Sequence, residues 1–232
     1  MCTVTFLPLS NDDFVLTSNR DVGFAREKAL KPSTYIENGV SLHYPRDGKA
    51  GGTWIGTSRN TRLMCLLNGG FANHRRKEPY AKSRGIIVKE LLLAKDFIPS
   101  WSLIELSDIE PFTLVVVEWE QSPLLIECVW DGRNKHREIK EWAPSIWSSS
   151  TLYTEKMKDM RRRWFSSWFL SRHQSPEEAL DFHQNAGIGR EEVDVLMRRE
   201  KVGTVSITQV IKTDRTCKMI YIPDPLYQKS DK

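Results

Sequence analysis

The chain has 232 residues, 40% of them hydrophobic, with 34 Lys and Arg against 30 Asp and Glu. That composition describes an ordinary folded body of one or two domains and excludes disordered, collagenous and tandem-repeat architectures. A net charge of +4 is too small to point to a nucleic-acid partner, and no apolar run approaches the ~20 residues of a membrane span.

The first residues, Met1-Cys2-Thr3-Val4-Thr5-Phe6-Leu7, lack the basic region, long apolar stretch and small-residue cleavage site of a signal peptide, so a cytoplasmic protein is expected. β-prone runs at 2–7 and 14–18 flank the turn residues Asn11-Asp12-Asp13, predicting an opening hairpin that sets residue 2 beside residues near 20. Further strand-like runs lie at 53–57, 63–67, 112–118, 124–130, 204–211 and 219–222. A helix is predicted over about 83–93, where Ile87, Leu91 and Ala94 recur behind a capping Ser83. A longer one follows Thr151, with Tyr153, Met157, Met160, Trp164 and Trp168 as an apolar stripe flanked by Lys156, Lys158, Arg161, Arg162 and Arg163. Cations beside aromatics also suit nucleic-acid or membrane surfaces, but the helical spacing sends the aromatics into a core and the arginines to water. A third helix opens at Ser175-Pro176-Glu177-Glu178, with Ser as cap, Pro in the first turn and acids at the positive end of the dipole. Strands at both ends with helices between predict an α+β sandwich, and with no repeat or long linker, 1–232 is expected to be a single domain.

The cysteines, at 2, 65, 128 and 217, form no Cys-x-x-Cys pair, so neither a zinc knuckle nor a disulfide framework is suggested. Cys2 differs from the others. Removal of Met1 would leave a thiol and a free α-amine on one residue, with unperturbed pKa values of about 8.5 and about 8, so the amine is suited to take the thiol proton. The plain alternative is a buried strand residue. The histidines at 43, 74, 136, 173 and 183 show no metal-site spacing, and neither a Gly-x-Ser-x-Gly elbow nor a phosphate-cradling glycine loop is present; no metal and no organic cofactor is expected. His74-Arg75-Arg76-Lys77 reads either as a solvated loop or as an electropositive lip for an anionic substrate.

Met1-Cys2, Asn19-Arg20-Asp21, Arg26, Ala50-Gly51-Gly52-Thr53-Trp54-Ile55-Gly56, Leu66-Leu67-Asn68, Ser83-Arg84-Gly85 and Gly203-Thr204 follow one another in an order that resembles the family named for its Asn-Arg-Asp-Glu tetrapeptide, the transport and Golgi organisation proteins. The resemblance implies an N-terminal-nucleophile hydrolase fold, a four-layer αββα sandwich, related to the penicillin V acylase and bile salt hydrolase group. It implies a catalytic set in which Cys2 attacks a linear amide carbonyl, Asp21 hydrogen-bonds and orients the α-amine, Arg20 supplies a cation favouring thiolate, and the Asn68 amide holds the oxyanion. Asn19, Gly52 and Trp54 are the candidates for contacting substrate, Trp54 by packing and the glycines by close backbone approach or positive φ. Taken alone, Asn68-Gly69-Gly70 reads as a turn. Relatives of the acylase group assemble into dimers or tetramers, which implies homo-oligomerisation. Three positions depart from the family: Val22 stands in place of Glu, Ser149 in place of an Asn, and Val205 in place of an Arg. Arg59, Arg84 or Ser206 are candidates to replace the missing groups. Those departures keep a second expectation open, a non-catalytic carrier or trafficking protein whose cleft binds an apolar ligand such as a lipid or haem.

Overall fold

The computed structural model describes residues 3–59, 61–77 and 79–228; Cys2 lies outside them. The chain divides into two compact units, one built from residues 1–26 and 143–232 and the other from 27–142. Each has an antiparallel sheet with helices packed on it, the α+β class that the strand and helix pattern predicts.

In the first unit the sheet order is β10-β1-β2-β11-β12, comprising Ser145–Ser148, Thr3–Pro8, Phe14–Gly23, Val202–Thr213 and Thr216–Pro223. The opening hairpin forms as expected, with Thr3 opposite Asn19 and Pro8 opposite Phe14. Its turn has a second use. Asp12 and Asp13 accept from the ammonium of Lys212 on β11 at 2.7 and 3.0 Å, which compensates a cation that is almost fully buried. Thr154 and Ser175 cap α3 (Glu155–Ser171) and α4 (Pro176–Asn185), each hydroxyl accepting a backbone N–H from the first turn. α4 packs on β2 and β11, and α3 on β10. Leu7, Val15 and Ala179 form one apolar cluster, and Phe165, Phe182 and Val195 a second at the seam of the two helices. Burying each such side chain contributes roughly 1.5–3 kcal/mol.

One expectation about α3 is reversed. Its most buried residues are Lys158, Arg161 and Phe165, while Met157, Trp164 and Trp168 flank them half-buried. Arg162 and Arg163 face water as expected; Arg161 does not. An apolar stripe shows where oil is, but a cation with enough acceptors occupies the centre of the same face.

The second unit has sheet order β3-β4-β5-β6-β7-β8-β9, made of Leu30–Glu37, Val40–Arg46, Ile55–Ser58, Arg62–Asn68, Phe112–Glu118, Leu124–Trp130 and Lys135–Lys140. β7 and β8 fall on the predicted runs. β3, β4 and β9 lie outside every predicted run; β3 and β9 are rich in polar residues and mostly exposed at the sheet edges. One local signal does mark the first pair: Asn38-Gly39 joins them as a two-residue turn with φ of 49° and 75°, the conformation that Asn-Gly favours in hairpins. α1 (Arg84–Leu93) packs on β5 and β6 with α2 (Phe97–Leu103), an additional helix, beside it. Ser83 occupies the N-cap of α1, but its hydroxyl makes no capping bond. A short α5 (Pro225–Gln228) ends the described chain.

Two of the quoted motifs meet as one joint. A Cβ on Gly52 would lie 2.4 Å from the carbonyl carbon of Gly85 and 2.7 Å from the nitrogen of Ile86, and one on Gly85 would lie 2.9 Å from the oxygen of Thr53. Thr53 N–H donates to the Gly85 carbonyl at 3.1 Å, locking backbone on backbone. Gly52→Ala is therefore expected to lower stability by about 1–3 kcal/mol in urea unfolding. The Gly52→Ala/Gly85→Ala double variant should lose less than the sum of the singles, since either change opens the same contact; strict additivity would contradict the joint.

Candidate functional site

Along β2 the side chains facing α3 and α4 change from apolar to polar. Val15 belongs to the apolar cluster; Thr17 accepts from the Gln209 amide at 3.0 Å; Asn19 meets His183; Asp21 meets Tyr153 and Thr204. This polar end lies beside the start of β1, where Thr3 pairs with Asn19.

Asp21 is 1% exposed. Its Oδ2 accepts from the Tyr153 hydroxyl at 2.7 Å and its Oδ1 from the Thr204 hydroxyl at 2.6 Å. Thr204 reaches it because β2 and β11 pair in register here, with a bulge directly after at Val205, between Thr204 and Ser206. Val205, where the family carries a guanidinium, is therefore a half-buried bulge residue. Arg20 and Asp21 are neighbours on one strand and so project to opposite faces of the sheet. Arg20, 4% exposed, lies across from Ser206, on the face of the sheet opposite to the one from which Asp21 projects.

The Asn19 side chain is taken up inside the unit. Its Nδ2 donates to the carbonyls of His183 at 3.2 Å and Val195 at 2.9 Å, so its Oδ1 faces His183 Nδ1 at 2.7 Å. The network assigns the tautomer: Nδ1 carries the proton, and Nε2 accepts from the Thr5 hydroxyl at 2.8 Å. Burial, and secondarily the charge of Arg161, pushes the His183 pKa down to about 3, so the ring stays neutral at physiological pH. No sequence signal marks His183 or Tyr153 as a site-building residue, since no spacing rule links either to a strand that far away along the chain.

In the other unit, Asn68 ends β6 opposite Phe112, and Gly69 follows with a φ of 86°. This turn is held firmly. Gly69 N–H donates to the Pro111 carbonyl at 3.0 Å, the same oxygen receives Arg84 Nη1 at 3.2 Å, and Thr113 Oγ1 donates to the Gly69 carbonyl at 3.0 Å. Arg84 also pairs with Glu110 at 3.1 Å, and His74 Nε2 reaches the same carboxylate at 3.3 Å. Arg84 thus ties the start of α1 to the Asn68 turn, while Gly52 and Gly85 fix α1 to the segment leading into β5 and the buried Trp54. Arg59, by contrast, is an exposed residue with a φ of 54°.

Cys65 and Cys128 are buried and Cys217 is partly so. Burial raises the Cys128 thiol to about 12 and the Cys217 thiol to about 11, values that keep both protonated and unreactive near neutrality. No helix among the described residues is long and apolar enough to cross a membrane.

A neutral buried His183 makes stability pH-dependent with a definite sign. Between its ordinary value of 6.5 and about 3 the unfolded chain binds a proton that the folded chain refuses, so stability present above 6.5 is lost as pH falls through that window. Urea midpoints measured from about pH 7 to about pH 4 should fall more steeply for the natural chain than for His183→Gln; equal slopes would remove His183 as the cause.

Comparison with known proteins adds the following. The solved structure of a Caenorhabditis elegans N-acylethanolamine-hydrolyzing acid amidase ortholog superposes with a TM-score of 0.60 at 13% identity, covering 90% of this chain and 92% of that one. A variant of the conjugated bile acid hydrolase from Clostridium perfringens gives a TM-score of 0.54 at 6% identity, covering 96% and 92%. At such identities the likeness establishes the fold, that of the N-terminal-nucleophile acylases, and nothing finer. A search of curated proteins finds no match. The family model described as Transport and Golgi organisation 2 matches residues 1–227. With a match running over nearly its whole length, the chain belongs to the Transport and Golgi organisation 2 family.

Proposed function

We propose that this chain is a cysteine N-terminal-nucleophile amidohydrolase, a single functional domain that cleaves a linear amide C–N bond through a thioester acyl-enzyme. Cys2 is the nucleophile once Met1 is removed. Its thiol gives its proton to its own α-amine and attacks the carbonyl carbon; the Asn68 amide donates to the oxyanion. The tetrahedral intermediate collapses with the C–N bond breaking and the α-ammonium protonating the departing amine. Water then adds to the thioester, the amine accepting its proton, and the acid leaves with the thiol restored. Asp21 orients the amine, Arg20 favours the thiolate, and Asn19, Gly52 and Trp54 shape the surroundings of the substrate.

One observation carries most of this reading: a buried carboxylate, Asp21, clamped by two hydroxyl donors at the end of the sheet where β1 begins. A carboxylate has about four acceptor sites, so two hydroxyls do not exhaust its capacity to take an amine. A carboxylate is costly to bury unless it is hydrogen-bonded or paired. The fold shared with an amidase and a conjugated bile acid hydrolase supports the same chemistry, and cysteines 65, 128 and 217, none of them in a disulfide, suit a reducing cytoplasm.

The test is intact-mass analysis after exposure to an activated ester such as p-nitrophenyl acetate. The mature chain should begin at Cys2 and gain one acyl group; Cys2→Ala should gain none, and Asn68→Ala should acylate roughly 100- to 1000-fold more slowly. A folded natural chain that retains Met1, or that takes no acyl group at Cys2, would instead favour the non-catalytic carrier to which Val22, Ser149 and Val205 point.

A further inference from the structure

The first unit contains a cavity of about 480 Å³ that the proposed chemistry does not use, lined by Phe24, Glu191, Arg198, Arg199, Glu200 and Leu226. Backbone bonds frame it. Arg198 N–H donates to the Glu191 carbonyl at 2.8 Å, Arg199 N–H to the Val202 carbonyl at 2.8 Å and Phe24 N–H to the Lys201 carbonyl at 3.0 Å, while Arg198 also bridges to Gly203. A Cβ on Gly203 would lie 2.6 Å from the Phe24 ring and 3.1 Å from Leu226 Cδ1, so the bare glycine lets these two apolar side chains close over the backbone. Phe24 is nonetheless 41% exposed and presents apolar surface at the cavity wall.

Around this apolar corner stand two guanidinium groups and two carboxylates. Among the described residues none of the four makes an ion pair, and the side chains of Arg198, Glu191 and Glu200 make no hydrogen bond. Arg199 is held in one orientation. Its Nε donates to the Glu192 carbonyl at 3.0 Å, its Nη1 to the Leu152 carbonyl at 3.2 Å, and its guanidinium lies 5.5 Å from the centre of the Tyr153 ring. Those bonds leave Nη2 without a protein partner.

The lining selects for a particular ligand chemistry. A simple anion is drawn to the guanidinium pair but repelled by the two carboxylates, and a simple cation meets the reverse. A molecule with one charge of each sign and an apolar group gains at all three surfaces. The volume falls in the range of small-molecule sites, roughly 300–1,000 Å³. We infer that this cavity binds a free α-amino acid with an apolar side chain. Arg198 and Arg199 take its carboxylate, for which the planar guanidinium fork is suited; Glu191 and Glu200 take its ammonium; Phe24 and Leu226 receive its side chain. The inference stands on this cavity and does not depend on the hydrolase reading.

The probe is L-phenylalanine, and the readout is its dissociation constant for the full chain by calorimetry or ligand-observed NMR at neutral pH and low salt. L-phenylalanine should bind saturably. N-acetyl-L-phenylalanine, which lacks the ammonium, and phenethylamine, which lacks the carboxylate, should each bind about tenfold more weakly. Arg198→Gln and Glu200→Gln alter exposed side chains that hold nothing else in place, and each should weaken L-phenylalanine about three- to tenfold. Phe24→Ala should narrow the preference for L-phenylalanine over L-alanine. No saturable binding at millimolar concentration overturns the assignment, and so does equal binding of the amino acid and its N-acetyl derivative. An affinity unchanged in both charge variants places the ligand elsewhere and overturns it as well. Tighter binding of phosphocholine than of L-phenylalanine would point to a lipid headgroup and overturn the amino-acid assignment.

Discussion

Burying a carboxylate under a layer of helices imposes a demand that propagates through the whole first unit. Asp21 needs donors; Tyr153 and Thr204 provide them, one from the turn before α3 and one from β11. Tyr153 in turn stacks against Arg161, and Arg161 needs acceptors, found on β1 and in the 193–194 segment. The segment carrying those carbonyls is held by Asn19 and by backbone bonds such as Val195 N–H to the Ala186 carbonyl. Each polar group is thus a condition on the placement of the next. Apolar packing sets how tightly α3 and α4 sit on the sheet, but the buried polar chain sets in which register, since a half-satisfied network is worse than none.

The second unit holds the turn after Asn68 by other means. It uses glycine rather than charge. Gly52 and Gly85 let two backbones touch where any side chain would hold them apart, and Gly69 turns the chain at the strand end with positive φ. Arg84 and Glu110 then pin that turn to the start of α1.

Much of the scaffold is legible in the order of residues. The opening hairpin, β7, β8 and the three long helices follow from alternation, helical spacing and capping residues, because those signals are local and the hydrophobic pattern has no competitor there. β3 and β9 are hidden by polar, edge-strand sequences, although Asn38-Gly39 announces the hairpin of the first. Gly51 and Gly52 read as backbone devices from their neighbours alone, but nothing near them names Gly85, more than thirty residues on, as the partner of Gly52. Arg161 defeats the helical pattern for a specific reason: periodicity ranks residues by hydrophobicity, and the most buried position on α3 is held by a cation whose acceptors come from elsewhere in the chain.

Residue order alone determines the class of fold, the family, and the identity of the groups with chemical potential: a thiol after Met1, a carboxylate at 21, an amide at 68. Those are properties of local pattern and of side-chain chemistry, which the linear chain carries intact. Which buried cation accompanies the carboxylate, which tautomer His183 adopts, and which glycines face one another depend on contacts between positions far apart along the chain. Burial makes such contacts compulsory without encoding them in any neighbouring residue, so they become visible only when the chain is folded.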